Sequence, residues 1–96
     1  VLEIGAGTGG TTASLLPNFP PERTEYVFTD VSPLFTNRAQ ERFAEYPFVR
    51  YQLLDIEQDP QVQGFAEHGY DQIVAAMSFL KTDGWCAIRD LAGQVP

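Results

Sequence analysis

The segment VLEIGAGTGG, from Val1 to Gly10, decides the fold of this chain. Leu2 to Ile4 form a short apolar run, and four glycines follow within the six residues that begin at Gly5. A short apolar run that ends at a glycine is typical of a buried parallel strand. Glycine beyond the strand lets the backbone turn sharply and lets a ligand approach where a Cβ atom would block it. The segment therefore predicts a first strand that leads into a ligand-binding loop.

Strand-like and helix-like patterns alternate along the rest of the chain. Runs of apolar, aromatic and β-branched residues predict three more strands, at Glu25–Thr29, Phe48–Leu54 and Tyr70–Ala76. Helices are predicted at Thr11–Leu16 and from the Ser32-Pro33 start to Pro47, with a loop at Pro17–Arg23 and a weak helical turn at Gln61–Phe65. Strands that alternate with helices favour parallel pairing and right-handed crossovers, so the predicted fold class is α/β.

Composition and charge argue against several classes of protein. Hydrophobic residues make up 44% of the 96 and charged residues 20%, which is typical of one small globular domain. No apolar run approaches the roughly 18 residues that a membrane span needs, so we expect no membrane partner. The net charge is −7 and the basic residues are scattered, which argues against a nucleic-acid partner because such proteins usually carry a basic patch.

Smaller features bear on the context of the chain and on metals. The chain begins inside its first strand, without an initiator methionine or a signal peptide, so we expect it to be part of a longer polypeptide. Its one cysteine, Cys86, cannot form an internal disulfide bond, which favours a reducing, cytoplasmic compartment. Asp55, Glu57 and Asp59 alternate in an acidic loop that we interpret as solvated, and no metal site is predicted.

Two cofactors fit the glycine-rich loop. Gly5, Gly7 and Gly10 spell G-x-G-x-x-G, the fingerprint of dinucleotide binding. With Gly9 in place of Gly10 the pattern becomes G-x-G-x-G. Glu3, inside the strand, favours the second pattern, because the pyrophosphate of a dinucleotide is disfavoured beside a carboxylate. S-adenosylmethionine carries a sulfonium and an ammonium but no phosphate, so an acidic pocket suits it. Taken alone, the loop leaves both cofactors open.

Acidic residues also follow the next two strands, at the same edge of the predicted sheet. Asp30 ends strand two and could accept hydrogen bonds from the vicinal hydroxyls of a ribose, which either cofactor carries. Asp55 ends strand three and could accept from an adenine amino group while Ile56 packs on the ring. Ligands of open α/β sheets bind beyond the carboxyl ends of the strands, so these residues and the glycine loop predict one nucleoside site.

These segments resemble the class I S-adenosylmethionine-dependent methyltransferases. LEIGAGTGG, YVFTDVSP and VRYQLLDIEQD resemble motifs I to III of that class. Over about residues 1–76 the sequence between the motifs also resembles the C-methyltransferase domains of polyketide synthases and hybrid peptide–polyketide synthases. The resemblance implies a Rossmann-like three-layer sandwich, of which this chain carries the cofactor-binding half as a mostly parallel four-stranded sheet in the order 3-2-1-4.

The resemblance also implies a reaction, partners and a set of site residues. In that family a methyl group passes from the sulfonium of S-adenosylmethionine to the α-carbon of a β-ketoacyl group, which an acyl carrier protein holds as a thioester. The other implied partners are further domains of the same polypeptide. The cofactor-binding residues that the resemblance implies are Glu3, Gly5, Ala6, Gly7, Gly9, Asp30, Val31, Asp55 and Ile56.

The last part of the chain departs from the family pattern. The family has a segment like AANVLHAT with a candidate base at its histidine, and an ungapped alignment places Met77 at the asparagine and Leu80 at the histidine. Leucine cannot take up a proton, and His68 lies in the loop before strand four, at the opposite edge. No catalytic residue is assigned, 77–96 is interpreted as a divergent tail with a short helix at Trp85–Leu91, and we expect this chain alone to be inactive. A non-catalytic remnant of a synthase and a NAD-binding oxidoreductase fragment stay as alternatives.

Overall fold

The computed structural model describes residues 1–65 and 70–75, which contain four strands and two α-helices. The strands are β1 (Leu2–Ile4), β2 (Tyr26–Asp30), β3 (Val49–Leu53) and β4 (Ile73–Ala75). The helices are α1 (Gly10–Leu15) and α2 (Pro33–Arg42), and short 3-10 turns occupy Leu16–Asn18 and Pro21–Arg23. Within these residues no helix is long and apolar enough to cross a membrane.

The strands form one sheet in the order β3-β2-β1-β4, and every pairing is parallel. This confirms the α/β class and the 3-2-1-4 order of a Rossmann-like sheet. Within β1, Glu3 pairs with Phe28 of β2 on one side and with Val74 of β4 on the other. Because all the strands run in the same direction, their carboxyl ends share one edge of the sheet. The glycine loop leaves β1 at that edge, between β2 and β4.

Each face of the sheet buries its own apolar cluster, which is typical of parallel strands. Helices α1 and α2 cover the first face, whose buried residues are Leu16, Tyr26, Phe28, Ala39, Phe43 and Val49. The chain that follows β3 folds back over the second face, whose buried residues are Leu2, Ile4, Val27, Leu54, Ile56 and Phe65. Tyr26 and Val27 are neighbours in β2 yet belong to different clusters, because successive side chains of a strand point to opposite faces.

Helix α2 begins at the predicted Ser-Pro pair. Proline suits the first helical position because its φ is already helical and the N–H that it lacks would have no partner there. Ser32 occupies the N-cap, but its side chain makes no capping hydrogen bond, and its backbone N–H donates instead to Asp30 Oδ1 over 3.0 Å. Ala39 and Phe43 are buried beneath the helix as their spacing predicts, while Phe35 is half-buried.

Several boundaries differ from those that the sequence predicts. Helix α1 begins one residue earlier, because Gly9 already supplies the left-handed turn in front of it. Strand β4 begins at Ile73 rather than at the predicted Tyr70, because its pairing with β1 begins only at Ile73. The expected helical turn at Gln61–Phe65 is a series of turns, closed by the N–H groups of Gly64 and Phe65. The expected loop before β2 contains the two 3-10 turns, because its prolines favour tight turns.

Some expectations concern residues outside the described ranges. These residues include the tail at 77–96 with Met77, Leu80 and the helix at Trp85–Leu91, and also His68 and Cys86. The expectations about them stay predictions.

Candidate cofactor site

The loop after β1 turns through alternate glycines. Gly5, Gly7 and Gly9 have φ angles of 65°, 58° and 86°, in the left-handed region that other residues rarely adopt. Gly10 is already the first residue of α1, and a Cβ atom placed on it would meet nothing within 4 Å. The backbone therefore requires the G-x-G-x-G spacing, whereas the third glycine of the dinucleotide fingerprint has no steric reason to be a glycine.

Gly9 is also constrained by its packing against the end of α2. A Cβ atom there would lie 3.0 Å from Cε2 and 3.1 Å from Cζ of Phe43. Gly9 is buried, and its φ angle and this packing are enough to require a glycine at this position without any ligand. Its contact with a cofactor stays a prediction.

Hydrogen bonds from β2 and α2 hold three successive residues of the loop. The Ala6 N–H donates to a β2 carbonyl over 3.0 Å. The Gly7 N–H donates to Asp30 Oδ2 over 2.9 Å. From the other side, Arg42 Nη1 donates to the Thr8 carbonyl over 2.7 Å. A loop held in this way is preorganised, so a ligand that binds there loses little affinity to the cost of ordering it.

The carboxylate of Glu3 is buried within the sheet and is paired with two hydroxyls. The residue is 3% exposed, and its Oε1 accepts from Tyr26 Oη over 2.6 Å and also from Thr12 Oγ1. A buried carboxylate is costly unless it is paired, and these hydroxyls supply the pairing. Burial raises the pKa of Tyr26, and the hydrogen bond and charge of Glu3 raise it further, so the phenol keeps its proton as a donor. The network joins β1, β2 and the helix that follows the glycine loop.

A pocket of about 290 Å³ opens at the carboxyl edge, between the glycine loop and β4. Glu3, Gly5 and Ala6 are among the residues on its β1 side, and Val74 and Ala75 line its β4 side. The pocket combines an acidic residue with bare backbone and an apolar wall. Such a lining suits a cationic group on an aliphatic chain.

Asp30 and Val31 lie at the same edge, on the β2 side of the loop. Asp30 is 6% exposed, and its carboxylate accepts one backbone N–H on each oxygen, from Gly7 on Oδ2 and from Ser32 on Oδ1. Each oxygen has a further lone pair, so the carboxylate keeps capacity to accept from a ribose hydroxyl. Val31 is 64% exposed and offers an apolar surface beside it. The cofactor contacts of both residues stay predictions.

Asp55 and Ile56 follow β3 at this edge. Asp55 is half-buried, and its Oδ1 accepts from the Glu57 N–H over 3.0 Å. Ile56 is 6% exposed and belongs to the second-face cluster with Leu54 and Phe65. Most of the isoleucine side chain therefore contributes to the core, and its contact with adenine stays a prediction.

Four residues that shape the site are not among the site residues that the sequence predicts. Thr12 and Tyr26 pair with the buried glutamate. Arg42 holds the glycine loop, and Gln63 bonds to the backbone just after β3. A glutamate inside a buried strand needs hydrogen-bond donors, and the hydroxyls of Thr12 and Tyr26 on adjacent elements could have been proposed as those donors from the sequence. Arg42 and Gln63 act on backbone atoms, which every residue carries, and no local pattern points to them.

The fold and the site together define a class of protein. A parallel 3-2-1-4 sheet, an alternate-glycine loop after its first strand, and acidic residues after the next two strands form the arrangement of a Rossmann-like methyltransferase. Within residues 1–65 and 70–75, no three His, Cys, Asp or Glu side chains come together as a metal site.

Comparisons with known proteins identify the family. The methyltransferase domain family matches residues 2–89, and the chain belongs to that family. The hybrid PKS-NRPS synthetase apdA of Emericella nidulans is 48% identical over 77 residues, which cover 79% of this chain and 2% of that protein. The crystal structure of the CurJ carbon methyltransferase matches 94% of this chain with a TM-score of 0.88 and 51% identity, over 25% of its own length. That of the trans-methyltransferase CalH in complex with SAH (S-adenosylhomocysteine) matches 94% with a TM-score of 0.82 and 40% identity, over 28% of its length.

These relatives confirm the resemblance to the C-methyltransferase domains of polyketide and hybrid synthases. The chain is nevertheless short beside them, since it spans 2% of the synthetase and 25% of the CurJ chain. The activities, substrates and partners of those whole proteins therefore extend to this chain only as proposals.

Proposed function

We propose that this chain binds S-adenosylmethionine as the cofactor-binding half of a C-methyltransferase domain in a polyketide or hybrid peptide–polyketide synthase. The observation that carries the proposal is the loop in which Gly5, Gly7 and Gly9 take positive φ angles next to the buried Glu3. Such a loop brings bare backbone to the carboxyl edge of the sheet, where a nucleoside cofactor can approach closely. The bound SAH in CalH, a similar chain, supports the same choice of cofactor.

The residues at this edge suit the separate parts of that cofactor. The pocket between the loop and β4, which Glu3 borders, would hold the methionine end. Asp30 would accept from the ribose hydroxyls, and Asp55 from the adenine amino group, with Ile56 packed on the ring. The exposed Val31 would be a further contact of the cofactor. When bound, the cofactor supplies an activated methyl group on its sulfonium. The role of this chain is to bind and orient the cofactor.

The acceptor that we propose is the α-carbon of a β-ketoacyl group, held as a thioester on an acyl carrier protein. The α-proton of such a group lies between two carbonyls and is acidic enough for a side-chain base near neutral pH. Alignment of donor and acceptor would supply much of the rate enhancement. The partners that we expect are the carrier protein and other domains of the same polypeptide, in the cytoplasm.

Calorimetric titration with SAH tests the proposal, with NAD as the competing ligand and circular dichroism to confirm folding. We expect saturable binding of SAH and none of NAD. Asp30→Asn should weaken SAH binding by about tenfold, because one of its two acceptor oxygens becomes an amide donor. Asp71→Asn, an exposed change at the opposite edge, is the matched control and should alter the affinity by less than about twofold. A folded chain that binds NAD, or neither ligand, would contradict the proposal.

A second candidate is a non-catalytic remnant that keeps the fold and the cofactor site. Leu80 favours it, because this leucine stands where the resemblance places the candidate base. Both candidates predict that this chain alone binds SAH without transferring a methyl group. The two candidates are separated by joining residues 1–76 to the remainder of a related methyltransferase domain and incubating the product with S-adenosylmethionine and an acetoacetyl thioester. An α-methylated product in the mass spectrum favours the first candidate, and SAH binding without methyl transfer favours the remnant.

A further inference from the structure

The side chain of Gln63 forms a pair of hydrogen bonds with the backbone of Asp55. Its Oε1 accepts from the Asp55 N–H over 2.8 Å, and its Nε2 donates to the Asp55 carbonyl over 2.8 Å. Nε2 also donates to the Asp59 carbonyl over 3.3 Å. The amide thus pairs with both backbone groups of one residue, as a neighbouring strand would.

Gln63 acts where the pairing of the sheet stops. The bond from β2 that reaches farthest along this stretch joins the Leu54 N–H to the Asp30 carbonyl over 3.0 Å. Asp55 is the next residue, and its N–H is paired by the glutamine in place of a strand. The backbone at Asp55 is therefore held by the Gln63 side chain, together with the Gln58 N–H, which donates to the same Asp55 carbonyl over 3.1 Å.

The turn that carries Gln63 is itself anchored in the core. Phe65 is 2% exposed, and its N–H donates to the Pro60 carbonyl over 3.0 Å. Gly64 has a φ of 97°, which turns the chain between the glutamine and the buried phenylalanine. The glutamine amide is thus presented from a fixed position, which a positioning role requires.

We propose that Gln63 is a positioning residue for nucleobase selectivity, because it fixes the backbone from which the Asp55 carboxylate meets an exocyclic amino group. The carboxylate is tied on its own side by the Glu57 N–H, which bonds to Oδ1 over 3.0 Å. With backbone and side chain both held, the carboxylate points in one direction. A carboxylate only accepts hydrogen bonds, so it pairs with an amino group and disfavours a carbonyl oxygen at the same place. The inference rests on the proposed function, which assigns the adenine end of the cofactor to Asp55.

The experiment compares SAH with S-inosylhomocysteine, in which a carbonyl replaces the adenine amino group. Calorimetry measures both ligands on the unaltered chain, on Gln63→Met and on Gln58→Met, an exposed control in the same loop. We expect the unaltered chain to prefer SAH by about tenfold or more. Gln63→Met should lower the SAH affinity by about fivefold, the effect of roughly one hydrogen bond, and should leave S-inosylhomocysteine within about twofold. Gln58→Met should change neither affinity by more than about twofold.

The outcomes separate this inference from the function on which it rests. A chain that binds SAH but shows no preference, or a Gln63→Met variant that loses both ligands equally, overturns the inference and leaves the proposed function standing. A folded chain that does not bind SAH overturns the proposed function and the inference with it. If Gln63→Met does not fold, Gln63→Glu replaces it, since it keeps the acceptor for the Asp55 N–H. Failure of both variants to fold also overturns the inference, because Gln63 would then support the fold as a whole.

Discussion

Replacing Tyr26 by phenylalanine removes one of the hydroxyls that pair with the buried carboxylate of Glu3. Tyr26 is 0% exposed, Glu3 is 3% exposed, and 2.6 Å separates their oxygens. A hydrogen bond to a charged group contributes about 1.5–3 kcal/mol, and its loss leaves the acceptor short of a partner away from water. Because the hydroxyl of Thr12 still pairs with the same oxygen, we expect a loss of about 2 kcal/mol in the free energy of unfolding.

The assay is urea and thermal unfolding followed by circular dichroism. For a domain of this size, 2 kcal/mol corresponds to a fall in Tm of roughly 10 °C. Tyr51→Phe is the matched control, because the Tyr51 hydroxyl is buried and has no partner within the described residues. Removing that hydroxyl should leave the stability unchanged or raise it by up to about 1 kcal/mol, so only Tyr26→Phe should destabilise the chain.

A double-mutant cycle isolates the interaction itself. Glu3→Met combined with Tyr26→Phe should cost less than the sum of the single changes, with a coupling of about 1–2 kcal/mol. A Tyr26→Phe variant within about 0.5 kcal/mol of the unaltered chain would refute the view that Tyr26 pairs with a buried charge.

Two further predictions follow from the loop and from the buried phenol. Gly9→Ala should lower the free energy of unfolding by about 1–3 kcal/mol, because φ is 86° and the new Cβ would lie 3.0 Å from Phe43. Gly10→Ala should leave the free energy of unfolding unchanged or raise it slightly. Urea unfolding compares the two variants, and equal effects would contradict the view that the loop requires the G-x-G-x-G spacing. The pKa of Tyr26 is raised above its value in the unfolded chain. The stabilisation that the protonated phenol contributes is therefore fully present below about pH 10 and is lost as pH rises through the folded-state pKa. The free energy of unfolding should thus fall above pH 10 by about 1.4 kcal/mol per pH unit for this group, and an unchanged slope in Tyr26→Phe would contradict the shift.

The sheet and its loop could be predicted from sequence because their signals are local. An apolar run that stops at glycine marks β1, and a Ser-Pro pair marks the start of α2. Alternation of strands with helices favours parallel pairing, and the strand order follows from the resemblance to a known family. The predicted ends of the helices and strands were less accurate, because strand register and tight turns determine them and the pattern of apolar residues indicates neither.

The interior of the candidate site could be predicted only in part. A carboxylate at Glu3 was visible, but the hydroxyls that pair with it come from another strand and a helix. The sequence also gave no sign that Asp30 would bond to the glycine loop itself, since that contact joins residues 23 apart. The hydrogen bonds between Gln63 and the Asp55 backbone could not be predicted for a different reason, because every residue carries the backbone atoms that serve as partners.

The central claim is that the carboxyl edge of this sheet binds an S-adenosyl cofactor, and amide chemical shifts in the presence of SAH test it most directly. We predict that the amide signals of Gly5, Gly7 and Val31 move on titration while those of Thr24 and Gln72 do not. The latter two line a pocket of about 560 Å³ at the opposite edge, which serves as an internal control. Shifts confined to that opposite pocket, or no shifts in a folded chain, would contradict the claim.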